Sequence, residues 1–335
     1  MSVRNGERFV ARAVRSVLRQ TLRDFEFIVI DDGSTDTTGE VLAGFDDRRM
    51  RVIRQEDAQG LASSLRRGVL EARGRYVARL DADDVAAPDR LSRQMAELRA
   101  NPSLGLLGTA ALTIDETDRL DQLLEMPRGP LCVRWSALFG APFVHPSVVF
   151  DRALFERHAL TYDPAFLESE DYDLWTRALE FTDGDNLRRP LVLYRVHGAQ
   201  ASQRRRDLQV RFQEEVALRT MRLTLPSHEA DDAELNAAWE FVVRGDRAGV
   251  EPYFRLLDAF TSHFRSRPGL SAVRSSAARM AARRLAGDRR LLRQQLPTLL
   301  RLDPMFGADA LVLRARRYGA AALARRRSRS AIAET

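Results

Sequence analysis

Tyr76-Val77-Ala78-Arg79-Leu80-Asp81-Ala82-Asp83-Asp84 is the stretch on which the fold of this chain turns. A largely apolar run ends abruptly in three near-consecutive acids, with the helix breaker Gly74 before it and Pro88 opening a helical turn after it. The same pattern occurs upstream, where Phe25-Glu26-Phe27-Ile28-Val29-Ile30 runs into Asp31-Asp32-Gly33-Ser34. Short apolar runs stopped by turn residues read as buried parallel strands. Around them the apolar spacing turns helical. Phe9, Val10, Ala13, Val14, Val17 and Leu18 predict a helix over 7–20, and Leu61, Leu65, Val69 and Leu70 predict one over 59–72. Ser34 or Thr35 caps a helix through Leu42, Arg51-Val52-Ile53 adds a strand, and Leu91, Met95 and Leu98 carry the helix begun at Pro88 to Asn101-Pro102. Strands alternating with helices predict an α/β layer with a mostly parallel sheet.

Beyond Leu104 the texture shifts to strands and loops, including Leu106 to Ile114, Ser147 to Phe150 and Leu191 to Val196. The polar stretch Ala199 to Arg206 reads as a linker, which divides the chain into 1–200 and a helical 201–335. Charge divides with it: residues 1–197 carry a net −5 and residues 198–335 a net +11. All 53 Lys/Arg positions are arginine, so a mechanism needing a Schiff base is excluded. The 335 residues, 44% hydrophobic and 30% charged, suffice for a globular core. No apolar run is long enough to span a bilayer; the best is Gly105 to Ile114. The opening residues have no apolar segment of the secretory kind, and one cysteine, Cys132, excludes an internal disulfide or a multi-cysteine zinc site. A reducing, cytoplasmic location is the expectation.

The ligand crevice of an open parallel sheet lies beyond the carboxyl ends of its strands. Asp31-Asp32 and Asp81-Ala82-Asp83-Asp84 are therefore expected to converge on one cleft. Gathering so many carboxylates raises their pKa values by mutual repulsion. A hard divalent cation, Mg²⁺ or Mn²⁺, removes that conflict and commonly shares its carboxylates with a substrate's phosphates. The bland alternative is a set of solvated helix caps.

Taken together, several motifs resemble the family-two glycosyltransferases of GT-A type. They are Asn5-Gly6-Glu7, Ser16 to Thr21, Phe25 to Asp36, Gly74 to Asp84, Pro88-Asp89-Arg90-Leu91 with Gln94, His145 to Phe150, Glu170 to Trp175, and Tyr194-Arg195-Val196-His197. The resemblance covers roughly residues 3–202 and implies a Rossmann-like sheet flanked by helices, with the helical region following. It implies that Asp31 and Asp32 hold the nucleotide base. It also implies that Asp81 meets the ribose, that Asp83 holds the metal on the diphosphate, and that Asp171 is the catalytic base. Arg195 is assigned to nucleotide-sugar binding and His197 to the metal. The implied activity is metal-dependent, inverting transfer from a UDP- or dTDP-sugar to a glycan or lipid-linked acceptor in envelope or extracellular polysaccharide biosynthesis. One base attacking opposite the leaving group gives inversion.

One departure stands out. The family opens with an apolar strand interior to the sheet, whereas Ser2-Val3-Arg4-Asn5 stands here where the turn after that strand is expected. The interior strand is therefore expected to be missing, through a clipped start or a weakened relative. Rival readings are a non-catalytic relative that binds glycan or membrane and a haloacid-dehalogenase-type phosphatase built on Asp81-Ala82-Asp83-Asp84-Val85. The latter wants its motif on a first strand and a downstream basic residue, usually lysine. A dinucleotide-binding G-x-G-x-x-G and a G-x-S-x-G elbow are both absent. The basic 198–335 region, with Arg204-Arg205-Arg206 and Arg325-Arg326-Arg327, reads either as a solvated helical face or as peripheral contact with an anionic inner membrane face. Few aromatics interleave with its arginines, so nucleic acid is not expected. His145 reads as a wall or acceptor-side residue, Trp135 and Trp175 as core, and Cys132 as a small buried hydrophobe.

Overall fold

A computed structural model describes residues 1–166, 168–197 and 206–304 of the chain. The predicted linker from Ala199, the arginine clusters at 204–206 and 325–327 and the segment from Ala308 fall outside them, except Arg206, which opens a helix. Two compact units are present, Met1–Glu229 and Ala230–Thr335.

In the first unit, β1 (Ser2–Val3), β2 (Phe27–Asp31) and β3 (Met50–Arg54) form a parallel sheet in the order β1-β2-β3. Helices α1 (Val10–Leu18), α2 (Thr38–Ala43) and α3 (Leu61–Glu71) connect and flank these strands. All five residues of β2 are buried, which fits its unbroken apolar run. Helix α1 starts three residues later than its apolar spacing predicts. Glu7 is held outside it, its carboxylate accepting from Thr37 N–H at 3.0 Å, while Asn5 Oδ1 accepts from Thr35 N–H at 2.8 Å.

A second sheet runs β4 (Tyr76–Ala78), β8 (Val149–Asp151), β6 (Leu104–Ile114), β9 (Asp183–Arg195) and β5 (Val85–Ala86), with β7 (Leu120–Leu124) on β6. Only β6 and β9 pair in parallel here, so the mostly parallel expectation holds for β1–β3 and not for this sheet. The reason is local. A tight turn at Asp115–Asp118 folds β7 back on β6, and β8 enters against the direction of both of its neighbours.

Ser2–Val3, read from the sequence as part of a turn, is a two-residue strand bonded to Ile30 and Asp31. It does not join the sheets. A cavity of about 660 Å³ lies between them, lined by Phe25, Phe27 and Ile28 on one side and Tyr76, Val77 and Ala78 on the other.

Helix α4 (Arg90–Ala100) explains the Arg90 and Gln94 motif positions. Both are buried, and Gln94 Nε2 donates to Leu107 O at 2.8 Å and Ser147 O at 2.9 Å, while Arg90 Nη2 donates to Arg79 O at 2.7 Å. These bonds satisfy carbonyls that the strands leave free. Helices α5 (Pro130–Ala137), α6 (Arg152–Arg157) and α7 (Glu170–Ala178) complete the α/β body. Helix α8 (Arg206–Thr224) belongs to the same unit, so the division falls after Glu229 and not at 200. Arg219 of α8 pairs with the buried Asp173 of α7 at 2.7 Å, and Phe212 packs on Phe166.

The second unit contains α9 (Asp232–Val243), α10 (Val250–His263), α11 (Leu270–Leu285) and α12 (Arg289–Leu302) around Trp239, Phe241, Tyr253 and Phe260. Ala277, Ala278 and Ala281 on α11 are buried, and Tyr253 of α10 donates to Ala277 O at 2.9 Å. Several of its arginines are paired with acids: Arg255 with Glu234, Arg247 with Asp288 and Arg279 with Asp303.

Trp135 and Trp175 are fully buried, as expected, and Leu174, Leu179 and Cys132 are buried with them. Trp175 packs against Phe143, Phe150, Phe155 and Tyr162 and thereby anchors α7. Trp175→Ala is expected to destabilise this unit by about 3–5 kcal/mol, the range for a large buried aromatic. Urea unfolding monitored by circular dichroism measures it.

Candidate active site

Strand β4 delivers its acids to the site, and a buried cation stands one step before them. Arg79 is 5% exposed and forms an ion pair with Asp81. Asp83 Oδ2 lies 3.0 Å from His197 Nε2, and Asp84 Oδ1 accepts from Arg195 N–H at 2.7 Å. Carboxylate oxygens of Asp81, Asp83 and Asp84 lie within 4.8 Å of one another. Asp84 Oδ2 is buried with no hydrogen-bond donor. Burial pushes the Asp84 carboxyl well up, and the charges of Asp81 and Asp83 push it further; burial also raises Asp81, against the pull of Arg79. Three hard oxygen donors and an orphaned buried oxygen fit a divalent cation of the Mg²⁺ or Mn²⁺ kind.

Asp171 stands in the first turn of α7, where the helix dipole favours an anion. Its Oδ1 accepts from Tyr172 N–H at 2.7 Å, and its Oδ2 lies 3.9 Å from His145 Nδ1. Burial raises its pKa; Arg79 opposes the rise and Asp81 adds to it. Asp171 and the β4 acids thus share one electrostatic neighbourhood, although nearly 90 residues separate them in the chain. Glu170 beside it is pushed up to about 8, first by burial and then by Asp171.

Asp31 and Asp32 differ from each other. Both oxygens of Asp32 are spent on the chain: Oδ1 accepts from Gln55 Nε2 at 2.6 Å and Gln59 N–H at 2.7 Å, and Oδ2 from Gly60 N–H at 3.0 Å. Asp31 is 1% exposed; its Oδ1 accepts from Ser34 N–H, while its Oδ2 has no hydrogen-bond donor and only Arg54 Nε at 3.9 Å. Gly33, at φ +64°, turns the chain here, and a side chain in its place would strike Ala58 N at 2.8 Å. The turn 5–9 joins this loop to the β4 acids. It bonds Ser34, Thr35 and Thr38 on one side, and Phe9 packs on His197 and under Arg195 on the other.

Arg195, expected to touch the nucleotide sugar, is 1% exposed and occupied by protein. Its Nε donates to Asp83 O at 2.8 Å, its Nη1 to Asp115 O at 2.7 Å, and its Nη2 pairs with Asp118 at 2.7 Å. It shapes the acidic loop from beneath. Arg79 and Tyr162 were given no role from the sequence, and Asp84 none of its own beyond membership of the acidic cluster. Arg79 alone left a sign, a full charge inside a strand that is otherwise apolar.

A profile of the family described as Glycosyl transferase family 2 matches residues 1–159. The O-antigen biosynthesis glycosyltransferase WbnJ of Escherichia coli is 30% identical over 203 residues, which make up 59% of this chain and 78% of that protein. The chain belongs to glycosyltransferase family 2. An uncharacterized glycosyltransferase of Haemophilus influenzae is 27% identical over 208 residues, and the chain spans 64% of that relative's length. The crystal structure of S. aureus TarS 1-349 in complex with UDP-GlcNAc superposes at a TM-score of 0.56 with 15% identity, covering 84% of this chain and 85% of that one. The fold is thus the GT-A type, and the phosphatase reading falls. No helix among the described residues is long and apolar enough to cross a membrane.

The raised Glu170 predicts a pH dependence. A carboxyl whose folded-state pKa lies above its unfolded value stabilises the fold at low pH and loses that contribution as pH rises from about 4.5 towards about 8. Glu170→Gln is therefore expected to raise the melting temperature at pH 8 and to leave it nearly unchanged at pH 4. Differential scanning fluorimetry in EDTA at both pH values measures the difference.

Proposed function

We propose that this family-two protein transfers a sugar from a nucleoside-diphosphate sugar to an acceptor hydroxyl, with inversion at the transferred carbon. One observation carries the reading: Asp81 pairs with the buried Arg79, and the charges of the same two residues bear on the carboxyl of Asp171 from a distant part of the chain. Asp171 is the base. As the acceptor oxygen attacks the anomeric carbon, its proton passes to Asp171 Oδ2, and the bond to the diphosphate breaks with its electron pair on the leaving oxygen. Attack from the face opposite the leaving group inverts the centre.

Asp83, with Asp81 and Asp84, would hold a Mg²⁺ or Mn²⁺ ion; bound there, such an ion supplies charge stabilisation for the leaving diphosphate. His197 keeps Asp83 oriented and is a further candidate ligand. Asp31 Oδ2, the free oxygen of its pair, receives a donor N–H of the nucleotide base, while Asp32 holds the loop 55–60 that walls the same end. Arg195 serves the donor indirectly, by fixing the loop of Asp83 and Asp84.

A UDP- or dTDP-sugar donor and a glycan or lipid-linked acceptor of envelope polysaccharide belong to the same proposal. So does peripheral contact of the basic helical unit with an anionic membrane. Salt-sensitive co-flotation with phosphatidylglycerol vesicles supports that contact, and its absence leaves a solvated face.

Asp83→Ala and Asp171→Asn are each expected to abolish transfer in a panel of UDP-, GDP- and dTDP-sugars with Mn²⁺, while keeping the wild-type melting temperature within a few degrees. A donor at 100 times its dissociation constant should stabilise the wild type by roughly 2.7 kcal/mol, with the shift lost in EDTA and in Asp83→Ala. Consumption of no donor by the wild type would instead favour a non-catalytic binding protein.

A further inference from the structure

His145 opens a single 3₁₀ turn, His145–Ser147, between α5 and β8. The turn is rigidly tied: Ser147 Oγ donates to Val144 O at 2.7 Å and accepts from Thr109 N–H at 3.0 Å. The imidazole is mostly buried and meets the edge of Trp175 at 5.9 Å between ring centroids. Its two nitrogens face different groups. Nε2 lies 3.1 Å from the hydroxyl of Tyr162, and Nδ1 lies 3.9 Å from Asp171 Oδ2.

Which nitrogen carries the proton follows from what surrounds them. Burial pulls the imidazole well below its usual value, and the positive charge of Arg79 adds to the effect, so the ring is neutral near pH 7 with one N–H. Burial pushes the Tyr162 phenol up, against the pull of Arg79, so its hydroxyl keeps its hydrogen. Tyr162 is 1% exposed, and His145 Nε2 is the acceptor within its reach among the described residues. Buried donors are rarely left unpaired. The hydroxyl therefore donates to Nε2, and the ring proton belongs on Nδ1, facing the carboxylate. The opposite tautomer fails twice: it strands the phenolic hydrogen and turns a nitrogen lone pair towards an anionic oxygen.

We propose that Tyr162 and His145 act as a positioning pair for Asp171, presenting the Nδ1–H of His145 to Oδ2 and fixing the orientation in which that carboxylate takes the acceptor's proton. This rests on the reading of Asp171 as the base. Oδ1 is already held by Tyr172 N–H, so an N–H approaching Oδ2 removes the last torsional freedom of the carboxyl. At 3.9 Å the contact is a charge–dipole attraction; catalytic hydrogen bonds are commonly long before substrate closes the site. Other charged groups near the pair are Arg79, Glu170 and Asp81, of which Arg79 is the cation.

Histidine ¹⁵N NMR tests the pair without any substrate. With resonances assigned through His145→Asn, the wild type should show His145 as the Nδ1–H tautomer at pH 7.5, and Tyr162→Phe should release it to a mixture. An Nε2–H ring in the wild type, or no change in Tyr162→Phe, overturns the proposal. In turnover of the UDP-, GDP- or dTDP-sugar consumed with Mn²⁺, His145→Ala should lower kcat about 30-fold. That is less than the ~10²–10⁴ a general base contributes in full. Donor KM should stay within about threefold, and His145→Asn, whose amide N–H can stand where Nδ1–H stood, should recover part of the loss. The double variant His145→Ala/Tyr162→Phe should be no slower than His145→Ala, because the two side chains act as one unit. Full kcat in His145→Ala beside a dead Asp171→Asn rejects the pair alone. An active Asp171→Asn rejects the base assignment instead, and the proposal with it. Melting temperatures of every variant separate these outcomes from misfolding.

Discussion

A buried guanidinium holds this site together. Asp81, Asp83 and Asp84 are gathered after β4, where Arg79 pairs with Asp81, and the charge of Arg79 also bears on Glu170 and Asp171 at the start of α7. Two unit charges 4 Å apart interact by about 4 kcal/mol at an effective dielectric constant of 20, so several like charges without compensation would exceed the stability of an ordinary domain. Arg79 supplies part of that compensation permanently. Its own carbonyl is bonded by Arg90, and Arg90 is bonded by Gln94, so the cation sits on a polar brace running through α4 into β6 and the turn before β8. The residual negative charge is what a divalent cation would offset, and that cation would in turn attract a diphosphate.

A second constraint is geometric. The parallel sheet β1-β2-β3 and the mixed sheet are separate hydrogen-bonded bodies within the first unit, with an apolar cavity between β2 and β4. What joins them at the site is the turn 5–9. Asn5 and Gly6 lace it to the loop after Asp31, and Phe9 lies against His197 and Arg195 beside Asp83. No continuous ladder links the two sheets; the turn, the Arg8–Glu116 and Arg12–Asp118 ion pairs and the bonds of Ser16, Gln20 and Thr21 to 86–88 do so instead.

Much of this was legible in the sequence, for identifiable reasons. Strands and helices with one strongly apolar face announce themselves by period, and β2, β3, α3 and α4 lie within a few residues of where their spacing puts them. Acids at strand ends are legible because the crevice rule assigns them a place. Direction of pairing is not, because it depends on which distant segment inserts beside which; β8 reverses the second sheet without any mark in its own residues. The unit boundary was misplaced because a polar, arginine-rich stretch looks like a linker. Helix α8 beyond it nevertheless buries Val216, Ala217 and Met221 and pairs Arg219 with Asp173. Arg195 was read as a ligand from its motif, yet its burial and three protein partners are properties of the fold alone.

The acids themselves sort by what their oxygens already do. Asp32 has both oxygens bonded by backbone and Gln55, and Asp173 faces Arg177 and Arg219; each is scaffolding, and a ligand approaching it would have to displace the chain's own donors. Asp31 and Asp84 each retain one buried oxygen without a donor, a state rarely tolerated in a protein interior. Asp171 Oδ1 is fixed by Tyr172 N–H, while among the described residues Oδ2 is approached by His145 Nδ1 at 3.9 Å. These are the carboxylates proposed for the nucleotide end, the cation and the base, whereas Asp173 Oδ1, likewise buried without a hydrogen bond, is neutralised by the Arg219 guanidinium at 2.7 Å. Neighbouring residues of identical chemistry, Asp31 with Asp32 and Asp171 with Asp173, thus divide into one given a ligand role in the proposal and one bonded into the scaffold.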